Sequence, residues 1–137
     1  MIRKAAIISI TSTILTKKEI DILKKEKPWG IILFKRNIST EKQVIELTSQ
    51  IRKTMKDKKY PILLDEEGGK VSRLSNFIDN TKFNQKYFGD IYKLNQSIGS
   101  ALYKNYINSI SRHLQKLGIN INTSPVLDLH QKKAHEV

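Results

Sequence analysis

The sequence predicts an α/β fold built on a parallel sheet, and three observations carry that reading. Short apolar runs alternate with segments whose apolar residues recur every three or four positions. Helix-start signals stand between them. Two of the runs, Ile31 to Phe34 and Ile62 to Leu64, are apolar at every position, as strands buried on both faces are. At 137 residues the chain is about one average domain long and can bury a core. The sequence shows no internal repeat and no domain boundary.

The elements follow in order. Ala5 to Ile10 reads as a first strand: a basic start precedes the apolar run as in a signal peptide, but the run is short and Thr11 to Thr16 offers no small-residue cleavage site. Thr16 with Glu19 forms a capping box, in which hydroxyl and carboxylate satisfy the exposed amide donors of a helix start. That helix turns Ile20 and Leu23 inward and must end before Pro28, which disfavours α geometry at Lys27. Trp29-Gly30 leads into a second strand, Ile31 to Phe34. Thr40 with Gln43 starts a second helix. Its stripe is Val44, Leu47, Ile51 and Met55. Lys56 to Lys59 form a charged exit, and Pro61 begins the third strand. Residues 75–92 lack clear periodicity and read as a long, partly structured loop. Leu94, Ile98, Ala101, Ile110, Leu114 and Leu117 fit one long helix stopped at Gly118, a position suited to left-handed backbone. Ile119 to Thr123 alternates as a fourth strand, Pro125 to Leu129 follows, and a polar tail runs from His130 to Val137.

Composition narrows the function classes. Hydrophobic residues make up 39% and charged residues 28%, which is globular and not disordered. No apolar run approaches the ~20 residues a membrane span needs, so no membrane partner is expected. The absence of cysteine excludes disulfides and thiolate metal sites and fits a reducing cytoplasm. The net charge of +12 invites a nucleic-acid reading. However, 20 Lys stand against 5 Arg, beside 20 Ile and 9 Asn, all of which A/T-rich codons favour. Residues 1–60 carry 15 cations against 6 acids, interleaved along presumed helix faces and without stacking aromatics. A solvated, codon-biased surface explains this better than a nucleic-acid partner does.

The chemistry concentrates in Pro61-Ile62-Leu63-Leu64-Asp65-Glu66-Glu67-Gly68-Gly69-Lys70-Val71-Ser72-Arg73-Leu74. A buried strand exits into three carboxylates, a Gly-Gly turn and two cations, which is how α/β enzymes place polar groups in a cleft. An ordinary acidic turn is the competing reading. Asp128, His130, His135 and Glu136 have no ligand spacing that justifies a metal site, and no metal or cofactor is expected. His113 reads as an exposed helix position, and Trp29 and Phe34 as core or strand-end packing.

Three segments stand in order: Gly30 to Ile38, Leu64 to Leu74, and Gly118-Ile119-Asn120 with Ser124-Pro125-Val126-Leu127-Asp128-Leu129. Together they resemble the N-terminal part of glycoside hydrolase family 3, and within it the single-domain bacterial β-N-acetylhexosaminidases of peptidoglycan recycling. The resemblance covers essentially residues 1–137. It implies the first half of a TIM (β/α)₈ barrel, truncated after about four strands, with its site at the C-terminal strand ends. It implies that Asp65 and Arg73 contact a terminal N-acetylglucosamine of a muropeptide or other glycoside. A carboxylate accepts from sugar hydroxyls, and an Arg fork donates to them or holds the carboxylate. A salt bridge from Arg73 to Glu66 or Glu67 is the alternative. Glu66 stands where many members of the family have Gln.

In the family, an Ile-Gly-x-Arg segment, an acid/base His on a mobile loop and a nucleophilic Asp come later, and retaining hydrolysis needs both last groups. The sequence reaches Val137 where the first of these would begin, so no residue here is assigned a catalytic role. The expectation is a truncated, inactive fragment whose exposed strand edges and apolar helix faces call for a complementary C-terminal half as partner, for oligomerisation, or lead to degradation. Two other readings stay open: a non-catalytic module for sugar or nucleic acid, and a complete doubly wound domain. The second would be favoured by a phosphate loop or an acidic cluster on the first strand, and the sequence has neither.

Overall fold

The computed structural model describes residues 2–125. Four strands form one parallel sheet in the order β1-β2-β3-β4, so sequence neighbours are spatial neighbours. The strands are β1 (Lys4–Ile8), β2 (Pro28–Leu33), β3 (Ile62–Leu64) and β4 (Ile121–Asn122). The connections carry α1 (Lys17–Glu26), a 3₁₀ turn at Lys35–Asn37, α2 (Glu41–Met55), α3 (Gln85–Leu94) and α4 (Gln96–Lys116). This is the expected α/β fold, with a four-strand parallel sheet.

The caps form where the sequence places them. Thr16 Oγ1 accepts from Glu19 N at 3.2 Å, and Glu19 Oε2 accepts from Thr16 N at 2.8 Å, closing the box at the start of α1. Thr40 accepts from Gln43 N at 3.2 Å, but the Gln43 carboxamide oxygen turns to Ser39 N instead of closing a second box. Gly118 has φ +77° and lets Ile119 N bond to Leu114 O at 2.9 Å, ending α4 tightly.

One core lies where α1, α2 and α4 meet the sheet. It contains Leu23 from α1, Val44, Leu47, Ile51 and Met55 from α2, and Ile110 and Leu114 from α4, against Ile31, Leu33, Ile62 and Leu64. The α2 stripe is therefore buried in full. β1 is an edge strand, and Lys4, Ala5, Ala6 and Ile7 are all exposed.

Several elements differ from the sequence expectation. β1 leaves the ladder after Ile8, and β2 begins already at Pro28, the strand-start position where a missing N–H costs no ladder bond. Phe34 lies outside β2. β4 keeps two residues because asparagine side chains replace part of its ladder. Asn120 Oδ1 accepts from Ile62 N at 2.8 Å, while its amide group donates to the Lys59 and Tyr60 carbonyls. Residues 75–92 are not all loop: Asn84 accepts from Tyr87 N at 2.8 Å and caps α3. The aromatic faces of Phe83, Phe88, Tyr103 and Tyr106 then pin α3 to α4, with ring centroids 5.0–5.8 Å apart in the Phe88–Tyr106, Phe88–Tyr103 and Phe83–Tyr106 pairs. The long stripe breaks at Asn95, which ends α3 and caps α4. As a result Leu94, Ile98 and Ala101 are exposed, and only Ile110, Leu114 and Leu117 of that series are buried. Val126 to Leu129, the tail from His130, and the Asp128, His130, His135 and Glu136 set lie outside the described residues.

Candidate functional site

Sheet register assembles the site. Leu33 pairs with Leu64, and Leu64 with Asn122, so Phe34, Asp65 and Thr123 leave the sheet side by side at its C-terminal edge. Asp65 Oδ1 accepts from Thr123 Oγ1 at 3.1 Å. Its other oxygen faces Arg73 Nη2 at 3.4 Å, with both side chains about a quarter exposed. The structure thus brings the two expected site residues together. It pairs the Arg73 guanidinium with Asp65. The guanidinium lies 5.8 Å from the Phe34 ring centroid, in cation–π range, and its buried Nε has no hydrogen-bond partner among the described residues.

The loop that carries Arg73 is built around Glu66. This residue is 2% exposed, although the sequence gives it the look of a surface acid. Its Oε2 accepts from the backbone amides of Arg73 at 2.7 Å and Leu74 at 2.8 Å, and its Oε1 accepts from Asn80 Nδ2 at 2.7 Å. The glycines make this return possible. Gly68 (φ +78°) and Gly69 (φ +64°) take left-handed backbone, and a Cβ on Gly68 would sit 2.3 Å from Phe83 O. Gly69 N then donates to Asn80 O at 3.1 Å, and Glu67 N donates to Val71 O at 3.2 Å.

The end of β4 clamps the same loop from the other side. Asn122 accepts from Glu66 N and donates to Glu66 O, at 3.1 and 3.2 Å, and Ser124 Oγ donates to Glu66 O at 2.6 Å. Asn80 also donates to Tyr106 OH at 3.3 Å. Burial pushes the Tyr106 phenol up, with the Glu66 charge adding to it and the Asn80 bond opposing it, so the hydroxyl stays protonated.

Sequence reasoning missed Thr123, Asn122 and Asn80 as partners. The alternation of Ile119-Asn120-Ile121-Asn122 held a trace of their role, because polar amides in a short strand beside a buried one need backbone partners. Nothing in the sequence marked Asn80. His113 is also corrected. Its side chain is 19% exposed, its ring lies 6.3 Å from Phe77, and its Nε2 is 3.4 Å from Glu41 on α2. Trp29 stays 42% exposed at the start of β2 and does not join the core.

Chemically, Asp65 and Arg73 form an acceptor and a donor fork fixed side by side at the open end of a parallel sheet. Glu66 is committed on both oxygens to the loop. An apolar groove of about 640 Å³ lies elsewhere, between α3 and α4 around Phe88, Tyr92 and Tyr103.

Residues 4–136 match the glycosyl hydrolase family 3 N terminal domain. The chain belongs to that family. The family 3 domain is 28% identical over 123 residues to the beta-hexosaminidase of Stenotrophomonas maltophilia, covering 90% of this chain and 36% of that protein. It is 27% identical over 125 residues to the beta-hexosaminidase of Xylella fastidiosa, with the same coverage. Native NagZ of Neisseria gonorrhoeae superposes with a TM-score of 0.72 at 29% identity, over 93% of this chain and 37% of NagZ. NagZ has also been solved with N-trifluoroacetyl-D-glucosamine, again with a TM-score of 0.72 at 29% identity. The family 3 domain therefore spans little more than a third of these relatives. Its four-strand sheet corresponds to the first part of their fold.

Proposed function

We propose that these residues form the substrate-holding wall of a β-N-acetylhexosaminidase. In this reading Asp65 and Arg73 grip the terminal N-acetylglucosamine of a muropeptide or related glycoside. The observation that carries it is the Asp65–Arg73 pair at the C-terminal edge of the sheet, with Thr123 donating to the carboxylate and an Arg73 Nε–H that has no hydrogen-bond partner among the described residues. That edge is where barrel enzymes of this kind work. A neutral sugar is suited to such a pair, because its hydroxyls both donate and accept. The ligand named for NagZ, an N-acylated glucosamine, is the same chemical class.

Retaining hydrolysis needs a nucleophile and a proton donor on one glycosidic bond. Asp65 is held by Arg73 and Thr123, and Glu66 by three donors, so these carboxylates bind and position. The cutting groups belong to the part of the relatives that residues 1–137 do not span. By themselves these residues bind the sugar weakly and do not turn it over. A complementary C-terminal half, a role in peptidoglycan recycling and a cytoplasmic location complete the proposal.

Saturation-transfer NMR of the 137-residue chain with N-acetylglucosamine, and with glucose as control, tests it. Transfer to the N-acetylglucosamine ring protons is expected, reduced at least tenfold in Asp65→Ala and in Arg73→Ala. Binding that survives both substitutions, or that does not distinguish the two sugars, overturns the assignment. Enzyme-like hydrolysis of a chromogenic N-acetylglucosaminide that is lost in Asp65→Ala overturns the holding-only role.

A further inference from the structure

The tertiary structure sorts the charge that the sequence interleaves. Strands run one way and α1, α2 and α4 return the other, so the strand starts, the C-termini of those three helices and the segments joining them share one end of the molecule, opposite Asp65. Contacts confirm this grouping: Arg3 pairs with Asp57, Lys4 with Glu26, and Lys4 N donates to Lys27 O. Lys24, Lys27 and Lys56 line one cleft, and Arg52, Lys53, Lys56, Lys58 and Lys116 line a second groove of about 600 Å³.

This end gathers Arg3, Lys4, Lys24, Lys25, Lys27, Arg52, Lys53, Lys56, Lys58, Lys59 and Lys116 against only Glu26 and Asp57. That is 11 cations and 2 acids, a net +9. The rest of the chain holds the remaining 14 cations and 11 acids, a net +3. Both acids of the basic end are already paired with Arg3 and Lys4. The helix macrodipole accounts for cations in the last helical turns. It does not account for Lys58 and Lys59 beyond the C-cap of α2, or for Arg3 and Lys4 at the strand start.

Two apolar side chains project from the same end. Ile2 is 95% exposed beside Arg3, and Trp29, the second residue of β2, is 42% exposed. Lysines and an exposed tryptophan at one end of the fold suit an anionic lipid surface. The lysines draw in the headgroups as point charges, and indole settles at the headgroup level. Duplex nucleic acid would instead reward Arg forks, and Arg3 and Arg52 are the only arginines here, both half-buried.

We propose that the end of the sheet marked by Arg52, Lys53, Lys58, Lys116 and Trp29 docks on an anionic lipid bilayer, leaving Asp65 and Arg73 facing away from it. Such docking is peripheral and needs no spanning helix, in keeping with the finding that no described helix is long and apolar enough to cross a membrane.

Trp29 is the sole tryptophan of the chain and reports on the proposed contact itself. The 137-residue protein is titrated with vesicles of phosphatidylcholine containing phosphatidylglycerol, and with phosphatidylcholine alone. Anionic vesicles are expected to blue-shift Trp29 emission, shield it from acrylamide and cosediment the protein, with all three effects weakening as salt rises. The triple variant Lys53→Gln/Lys58→Gln/Lys116→Gln should lose roughly 100-fold in partition, about fivefold per lysine. The control triple Lys17→Gln/Lys42→Gln/Lys82→Gln removes the same charge at a distance and should lose less than tenfold. No binding to anionic vesicles overturns the proposal. So do equal losses in the two triples, binding without a Trp29 shift, or tighter binding to duplex DNA than to vesicles at equal salt.

Discussion

Replacing Glu66 tests the architecture of the site most directly. Its carboxylate is buried and accepts from Arg73 N, Leu74 N and Asn80 Nδ2, all at 2.7–2.8 Å. Glu66→Ala strands these donors. A bond to a charged acceptor contributes about 1.5–3 kcal/mol, so the buried Leu74 and Asn80 donors alone imply a loss of about 3–6 kcal/mol. Domains are stable by about 5–15 kcal/mol, so the alanine variant should be barely folded. Glu66→Gln keeps the shape and one acceptor oxygen, which can serve the two backbone amides. Its new NH₂ then faces Asn80, whose Oδ1 is buried without a hydrogen-bond partner among the described residues and can accept after an amide flip. That variant should lose only about 1 kcal/mol. Urea denaturation gives the stabilities, and hydrogen exchange at the Arg73 and Leu74 amides gives the local effect. Protection of both amides should persist in the glutamine variant and collapse in the alanine variant relative to the amides of β3. A loss below about 1 kcal/mol in Glu66→Ala, or equal losses in the two variants, would refute the reasoning.

Two further predictions concern the frame around the site. Tyr60 is fully buried, its hydroxyl donates to Pro28 O at 2.9 Å, and burial pushes its phenol up to about 12. The unfolded chain loses that proton near 10, so the contribution is complete below about pH 10 and disappears as pH rises toward 12. Wild type should therefore lose about 2–3 kcal/mol more than Tyr60→Phe across that window in urea titrations, and parallel curves would count against it. Gly118 holds φ +77°, and an added Cβ would lie 2.4 Å from Thr48 Oγ1, whose hydroxyl also bonds Leu117 O. Gly118→Ala should cost about 1–3 kcal/mol by urea midpoint, and a neutral outcome would show that α4 can end another way.

Much of the frame was legible in the sequence because it rests on local rules. Thr16 with Glu19, the α2 stripe, the apolar run of β3 and the stop at Gly118 depend on spacing within a few residues, and the structure shows each one. The places where the reading failed share one cause: partners distant in sequence. Asn84 and the aromatic seam on α4 made a helix of a segment without periodicity. Asn95 broke a stripe that looked continuous, and Phe77 with Glu41 enclosed a histidine that looked exposed.

The site divides the same way. By itself the sequence determined that acid, glycine and arginine follow a buried strand within one short loop, since composition and order along the chain are all that requires. Only the tertiary structure decided which acid does what. Register put Asp65 beside Thr123, so that it faces Arg73, while the loop folded Glu66 inward onto the amides it must satisfy. Three adjacent carboxylates look alike on paper. Burial and hydrogen-bond geometry set them apart, and the direction of the strands, not the order of the lysines, gathered the positive charge at the opposite end.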